Sequence, residues 1–158
     1  MMNTLITPQQ VVDIAFAGSF YLSPQSIGSA DIVAATARYV EPIAGRALID
    51  ALAEGKYAEL LESYVVPALA FAVRALVQPA LALRMGEGGL AAPRTESSTA
   101  PTSEATRALQ RSVTKRARQH LHRLSDHLNN NASLYAEYDP KLNILNRCSI
   151  DGGLVQTF

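Results

Sequence analysis

Between Ser103 and Asp126 the chain places six basic side chains, Arg107, Arg111, Lys115, Arg116, Arg118 and Arg123, against only Glu104 and Asp126. Arg107, Arg111, Lys115, Arg118 and His122 follow steps of four, four, three and four, which on a helix makes one stripe. Such a stripe is a solvated face, a docking surface for an acidic neighbour, or a row of phosphate contacts. The first 92 residues are the opposite, with five basic and eight acidic side chains.

The other reactive residues do not assemble into chemistry. His120 and His122 are two apart and point to different sides of a helix, whereas helical metal pairs use spacings of three or four. His120 and His127 share a side, but nothing near them completes a coordination shell. A solvated or helix–helix contact role is expected for the histidines. Ser125-Asp126-His127 spells a triad in letters only, since adjacent residues on one helix cannot aim at a common atom. Cys148 is the single cysteine, which excludes an internal disulfide. It reads as a reduced, semi-buried small residue, with a nucleophilic role beside a histidine as the sharper option. Gly86-Glu87-Gly88-Gly89 lacks the Lys-Ser/Thr of a phosphate loop and reads as a turn. The acidic pairs Glu54/Glu59 and Glu59/Glu62 beside Lys56 look like ordinary helix-surface charge. No catalytic residue, metal site or cofactor is expected, and enzyme is not the favoured class.

The elements that must position these residues are helical. Alanine is the commonest residue, tryptophan is absent and aromatics are 6%, so the composition predicts an all-α bundle of four to five helices forming one domain over residues 1–158. Thr7-Pro8 opens a helix that stops at Gly18, and residues 18–28 form a loop. A second helix starts near Ser29, with Ser29-Ala30-Asp31 as cap and early negative charge. Pro42 kinks or divides it before the stop at Gly55. A third runs from about Lys56 to Leu83, bent at Pro67. Residues 86–102, rich in Gly, Pro, Ser and Thr, predict a long loop or mobile linker. The last long helix covers about 103–129, with Leu109, Val113, Ala117, Leu121, Leu124 and Leu128 as its apolar stripe. An irregular C-terminal tail is expected over about 138–158, with Leu154–Phe158 able to pair as a short strand.

The stretch from Tyr64 to Leu83 is long enough to span a bilayer. Arg74, Gln78, Pro67 and Pro79 argue against insertion, and a helix buried on most of its circumference is expected instead. Met1-Met2-Asn3-Thr4 lacks a positively charged leader, so no signal peptide is expected. The 14 basic and 14 acidic side chains cancel, and this argues against a dedicated nucleic-acid binder.

Three stretches carry a resemblance: the kinked helix GRALIDALAEGKYAELLESYVVPALAFAV, the segment MGEGG before the Ser/Thr-rich loop, and YAEYDPKLNILNR ahead of the Gly-Gly tail. Their order resembles small proteins of prophage structural-gene blocks and, through them, the head–tail connector (head-completion) proteins of long-tailed phages. The resemblance implies a small helical bundle whose copies form a homo-oligomeric ring below the portal. Its implied partners are portal and tail-completion proteins, with DNA passing through but not specifically bound, and no membrane. It implies the host cytoplasm during assembly and then the virion, and it brings no catalytic residues. In that reading the docking or DNA-facing stripe is Arg107, Arg111, Lys115, Arg118 and His122. The other class left open is a small helical DNA-binding or DNA-packaging accessory protein.

Overall fold

The computed structural model describes residues 4–17, 22–86 and 103–147. Among them there are five helices and no strand, the all-α bundle that the composition predicts. Of the expected loop over 86–102, Gly86 is the last residue of a helix and 87–102 lie outside the described residues, as do the stop at Gly18, Cys148 and the strand at Leu154–Phe158.

α1 (Pro8–Ala15) opens on a capping box: the Gln10 amide N–H donates to Thr7 Oγ1 at 3.2 Å, and the Thr7 N–H donates to Gln10 Oε1 at 2.8 Å. With proline at the first helical position, three of the usually unpaired donors are dealt with locally. α2 (29–44) begins differently from expectation. Gly28, not Ser29, is the cap residue, and the Asp31 carboxylate accepts from the Gly28 N–H at 3.0 Å.

Pro42 does not divide α2. The break is three residues later at Gly45, whose φ of 83° ends α2 and starts α3 (Arg46–Ala53). A side chain would be strained at that angle, so the sharp turn needs glycine. α3 closes with a Schellman motif: the Gly55 N–H donates to Leu52 O and the Lys56 N–H to Ala51 O, both at 3.0 Å, with Gly55 at φ 88°.

Two prolines leave the same mark. In α2 a π-turn, Thr36–Val40, precedes Pro42; in α4 (58–86) a π-turn, Leu61–Val65, precedes Pro67. In each case the residue just before proline makes the wide bond, Glu41 N–H to Thr36 O and Val66 N–H to Leu61 O. A proline ring clashes with the carbonyl four residues back. A turn widened by one residue moves that carbonyl aside and lets the helix continue.

α4 is the centre of the bundle, packed by α1, α2 and α5 (Ser103–Asn130). Ala68, Leu69, Ala70, Ala72 and Val73 have no exposed surface. Alanines at 68, 70 and 72 let neighbours approach on several sides, which explains the alanine-rich composition as a packing requirement. The segment Ala58–Ala82 is long and apolar enough to cross a bilayer by length and composition, yet most of it is buried within the bundle. Arg74 and Gln78 do share one polar edge, with Arg74 Nε donating to Gln78 Oε1 at 3.3 Å. Arg74 also donates to the carbonyl of Ala15 and stacks over Phe16 at 4.6 Å, so it caps the C-terminal end of α1.

Over its described part, residues 138–147, the tail is irregular, as expected. Tyr135, Tyr138 and Asn143 are buried, and two 3-10 turns, Ala132–Leu134 and Ile144–Asn146, carry the chain back along α5. The segment has no apolar periodicity because polar groups hold it.

Candidate functional site

α5 buries Val113, Ala117, Leu121, Leu124 and Leu128 against the bundle. Leu109, expected to begin that stripe, is 43% exposed, so the first turns of α5 present an apolar side chain to solvent. The basic residues of α5 then divide into two groups.

Arg116 and Arg123 are absorbed by the fold. Arg116 stacks over Phe71 at 5.4 Å and Arg123 over Tyr64 at 4.9 Å, both rings belonging to α4. His120 and His127 follow the same pattern. His120 lies nearly parallel to Phe71, with centroids 4.8 Å apart, and His127 stacks on Tyr64 at 3.8 Å. Burial, then the nearby Arg123 and Arg116, push the His120 pKa below its ordinary value. His120 and His127 are thus helix–helix contacts. Among the described residues no group of three or more His, Cys, Asp or Glu gathers as a metal set.

The other group faces outward. Arg107, Arg111, Lys115, Arg118 and His122 are all exposed, and among the described residues none of the four cations forms an ion pair. Among the described residues the stripe is therefore a positive edge along α5 whose cations form no ion pair. At its C-terminal end Arg118 and His122 turn into a cleft of about 410 Å³. Its far wall is Arg38, Tyr39, Pro42 and Ile43 of α2, and its floor includes Ala117 and Leu121, with Ile144 and Leu145 closing one side. Two arginines and a histidine line it, and among the described residues no acid does.

Ser125, Asp126 and His127 point three ways. Ser125 is buried and accepts from Asn143 Nδ2 at 2.8 Å, Asp126 is exposed, and His127 is against Tyr64. No triad forms.

Sequence reading missed two clusters that fix the outer end of α5. In the first, His127 Nε2 lies 2.8 Å from Tyr135 Oη, Tyr57 meets Tyr135 edge-on at 5.0 Å, and the Tyr57 hydroxyl donates to Glu137 at 2.7 Å. The exposed Lys56 pairs with Glu137 at 3.1 Å and with Glu54 at 3.7 Å. The hydrogen bonds from Tyr57 and Lys56 hold the Glu137 carboxyl below its usual range. Tyr57 sits at φ 55°, a strained angle for a large side chain, and these contacts account for it. In the second cluster the fully buried Asn143 donates to Ser125 Oγ at 2.8 Å and to Tyr138 Oη at 2.9 Å, and accepts from the Leu145 N–H at 2.9 Å. Asn129 and Asn146 exchange a reciprocal amide pair, 2.8 Å each way. The available signal was compositional: aromatics are scarce here, yet three of the six tyrosines meet in one place.

A model of a family of unknown function, DUF6712, matches residues 32–146, well over half the chain. The chain belongs to DUF6712. The matched span runs from α2 to the last 3-10 turn, so it includes both walls of the cleft, the basic edge and both polar clusters of this DUF6712 member. No curated protein matches the chain, and no solved structure does.

Proposed function

We propose that this protein is a structural, non-enzymatic subunit of phage or prophage particle assembly, a head–tail connector whose copies form a ring between portal and tail. The observation that supports the reading is the positive edge of α5, whose cations form no ion pair among the described residues. A ring subunit needs a rigid core and complementary sides for a heterologous contact that closes. Here α5 is held by its packing on α4 from Val113 onward and, at its C-terminal end, by the Asn143 and Tyr135 clusters. The edge that they hold in place is available for an acidic face of a neighbouring copy or of the portal. The working location is the host cytoplasm during assembly and then the particle.

The same unpaired cations support a second reading, a DNA-binding or packaging accessory protein. Four phosphate contacts on duplex DNA imply a slope of about −3.6 in log affinity against log salt, at ~0.9 per neutralised phosphate.

One double reversal, Arg111→Glu with Lys115→Glu, separates the two. Neither residue belongs to the buried stripe, so helicity is retained. In a lysogen deleted for this gene, complementation with the double variant is expected to yield heads and tails that do not join. Purified wild-type protein is expected to bind duplex DNA weakly at physiological salt. Submicromolar, steeply salt-dependent binding that vanishes in the double variant favours the accessory reading instead.

A further inference from the structure

The cleft between α2 and α5 combines two kinds of surface. Tyr39, Pro42 and Ile43 of α2 line it with Leu121, Ile144 and Leu145, and Ile144 keeps 37% exposure, so part of this apolar lining still faces water. Arg38, Arg118 and His122 share the lining; all three are exposed, and among the described residues none forms an ion pair. A cavity that is mostly apolar, with a few convergent polar groups, is the usual form of a small-molecule site.

Charge, polarity and size together define the occupant. Two guanidinium groups suit an oxyanion, a carboxylate or a phosphate, which their planar forks can bind in bidentate fashion. A free inorganic anion leaves the apolar lining wet, and a neutral hydrocarbon leaves the cations without a counter-charge. The volume of about 410 Å³ equals roughly fourteen water-sized groups at ~30 Å³ each, enough for a headgroup and a body of about ten carbons. With Ile144 and Leu145 closing one side, the cleft suits a compact molecule better than a polypeptide running through it.

We propose that the cleft between α2 and α5 binds a medium-chain amphiphilic oxyanion, its headgroup held by Arg38, Arg118 and His122 and its apolar body against Ile43, Leu121 and Ile144. Bound there, the ligand bridges α2 and α5 and gives Arg118 and His122 a counter-charge. Arg107, Arg111 and Lys115 remain as the open part of the positive edge. The site does not depend on the connector reading.

The test is isothermal titration calorimetry of the full chain with decanoate and, separately, decyl phosphate, each below its micelle concentration. At least one is expected to fill a single site with a Kd of about 10–100 μM, and the tighter of the two identifies the headgroup. Acetate, inorganic phosphate and decanol each lack one half of the ligand and are expected to bind at least about tenfold more weakly. Arg118→Ala and Ile144→Glu, both at exposed positions of the lining, are each expected to weaken binding at least about tenfold, whereas Lys115→Ala, outside the cleft, is expected to change it less than about twofold. In a second readout the bound ligand is expected to shift the methyl resonances of Leu121 and Ile144 and to leave those of Val11 and Val12, outside the cleft, unchanged. No saturable binding of either amphiphile, or binding that Arg118→Ala and Ile144→Glu leave intact, overturns the proposal. Saturable binding of an acidic, leucine-rich tetrapeptide without binding of either amphiphile also overturns it and assigns the cleft to a partner's segment.

Discussion

His120 and Asn143 show how side chains with possible chemical roles are used as structure. His120 is stacked on Phe71, and burial and two arginines favour its neutral form. Its folded pKa is depressed, so the unfolded chain binds the proton more readily. The stability it contributes is fully present above the unfolded value, near ~6.5, and is lost as pH falls from there through the folded pKa. Urea midpoints measured from pH 7.5 to 5 are expected to decline in that window, and His120→Gln is expected to flatten the decline. Asn143 makes a sharper case because all its polar atoms are engaged in the core. Asn143→Ala strands Ser125, Tyr138 and the Leu145 N–H, and a loss of about 2–3 kcal/mol is expected in chemical denaturation. A near-neutral result contradicts the account of the ordered tail. The Asn143 cluster was not legible in the sequence: an asparagine in LNILN has no periodicity to betray burial, and its side-chain partners Tyr138 and Ser125 are 5 and 18 residues away.

At the scale of elements, sequence reading did well where local rules decide. Thr7-Pro8, Gly55 and the span of α5 were found from caps and spacing, because those signals lie within a few residues of the feature. It did less well at prolines. Pro42 reads as a kink or a division, but the π-turn before it lets the helix continue, and Gly45 makes the division instead. Pro79 lies inside α4 and has no N–H, so the Ala75 carbonyl lacks its helical donor. Gln110 of α5 provides the missing donor at 3.0 Å, a contact between helices that exists because of a proline. Gln110→Met is expected to cost about 1–2 kcal/mol by leaving that buried carbonyl unpaired. In a Pro79→Ala background the helix restores its own bond, and the cost is expected to fall by about 1 kcal/mol. Additive effects in this double-mutant cycle contradict the assignment.

For the whole molecule, the composition was a sound guide to the bundle, since an alanine-rich, aromatic-poor chain without sheet signals packs most simply as close helices. It was also possible to read the stripe from spacing alone, and all five of its residues are exposed along α5. The cleft could not be read that way, because Arg38, Arg118 and Ile144 meet only when α2, α5 and the tail have packed. Family membership over 32–146 marks the bundle and cleft as one shared unit without assigning it an activity. The central claim is that this unit docks through the positive edge of α5 inside an assembled particle. Electron cryomicroscopy of purified particles from a lysogen carrying the gene tests it most directly. The account predicts a ring of this chain between portal and tail, with Arg107, Arg111 and Lys115 against acidic side chains of a neighbour. Particles that are complete and contain no copy of the chain contradict it.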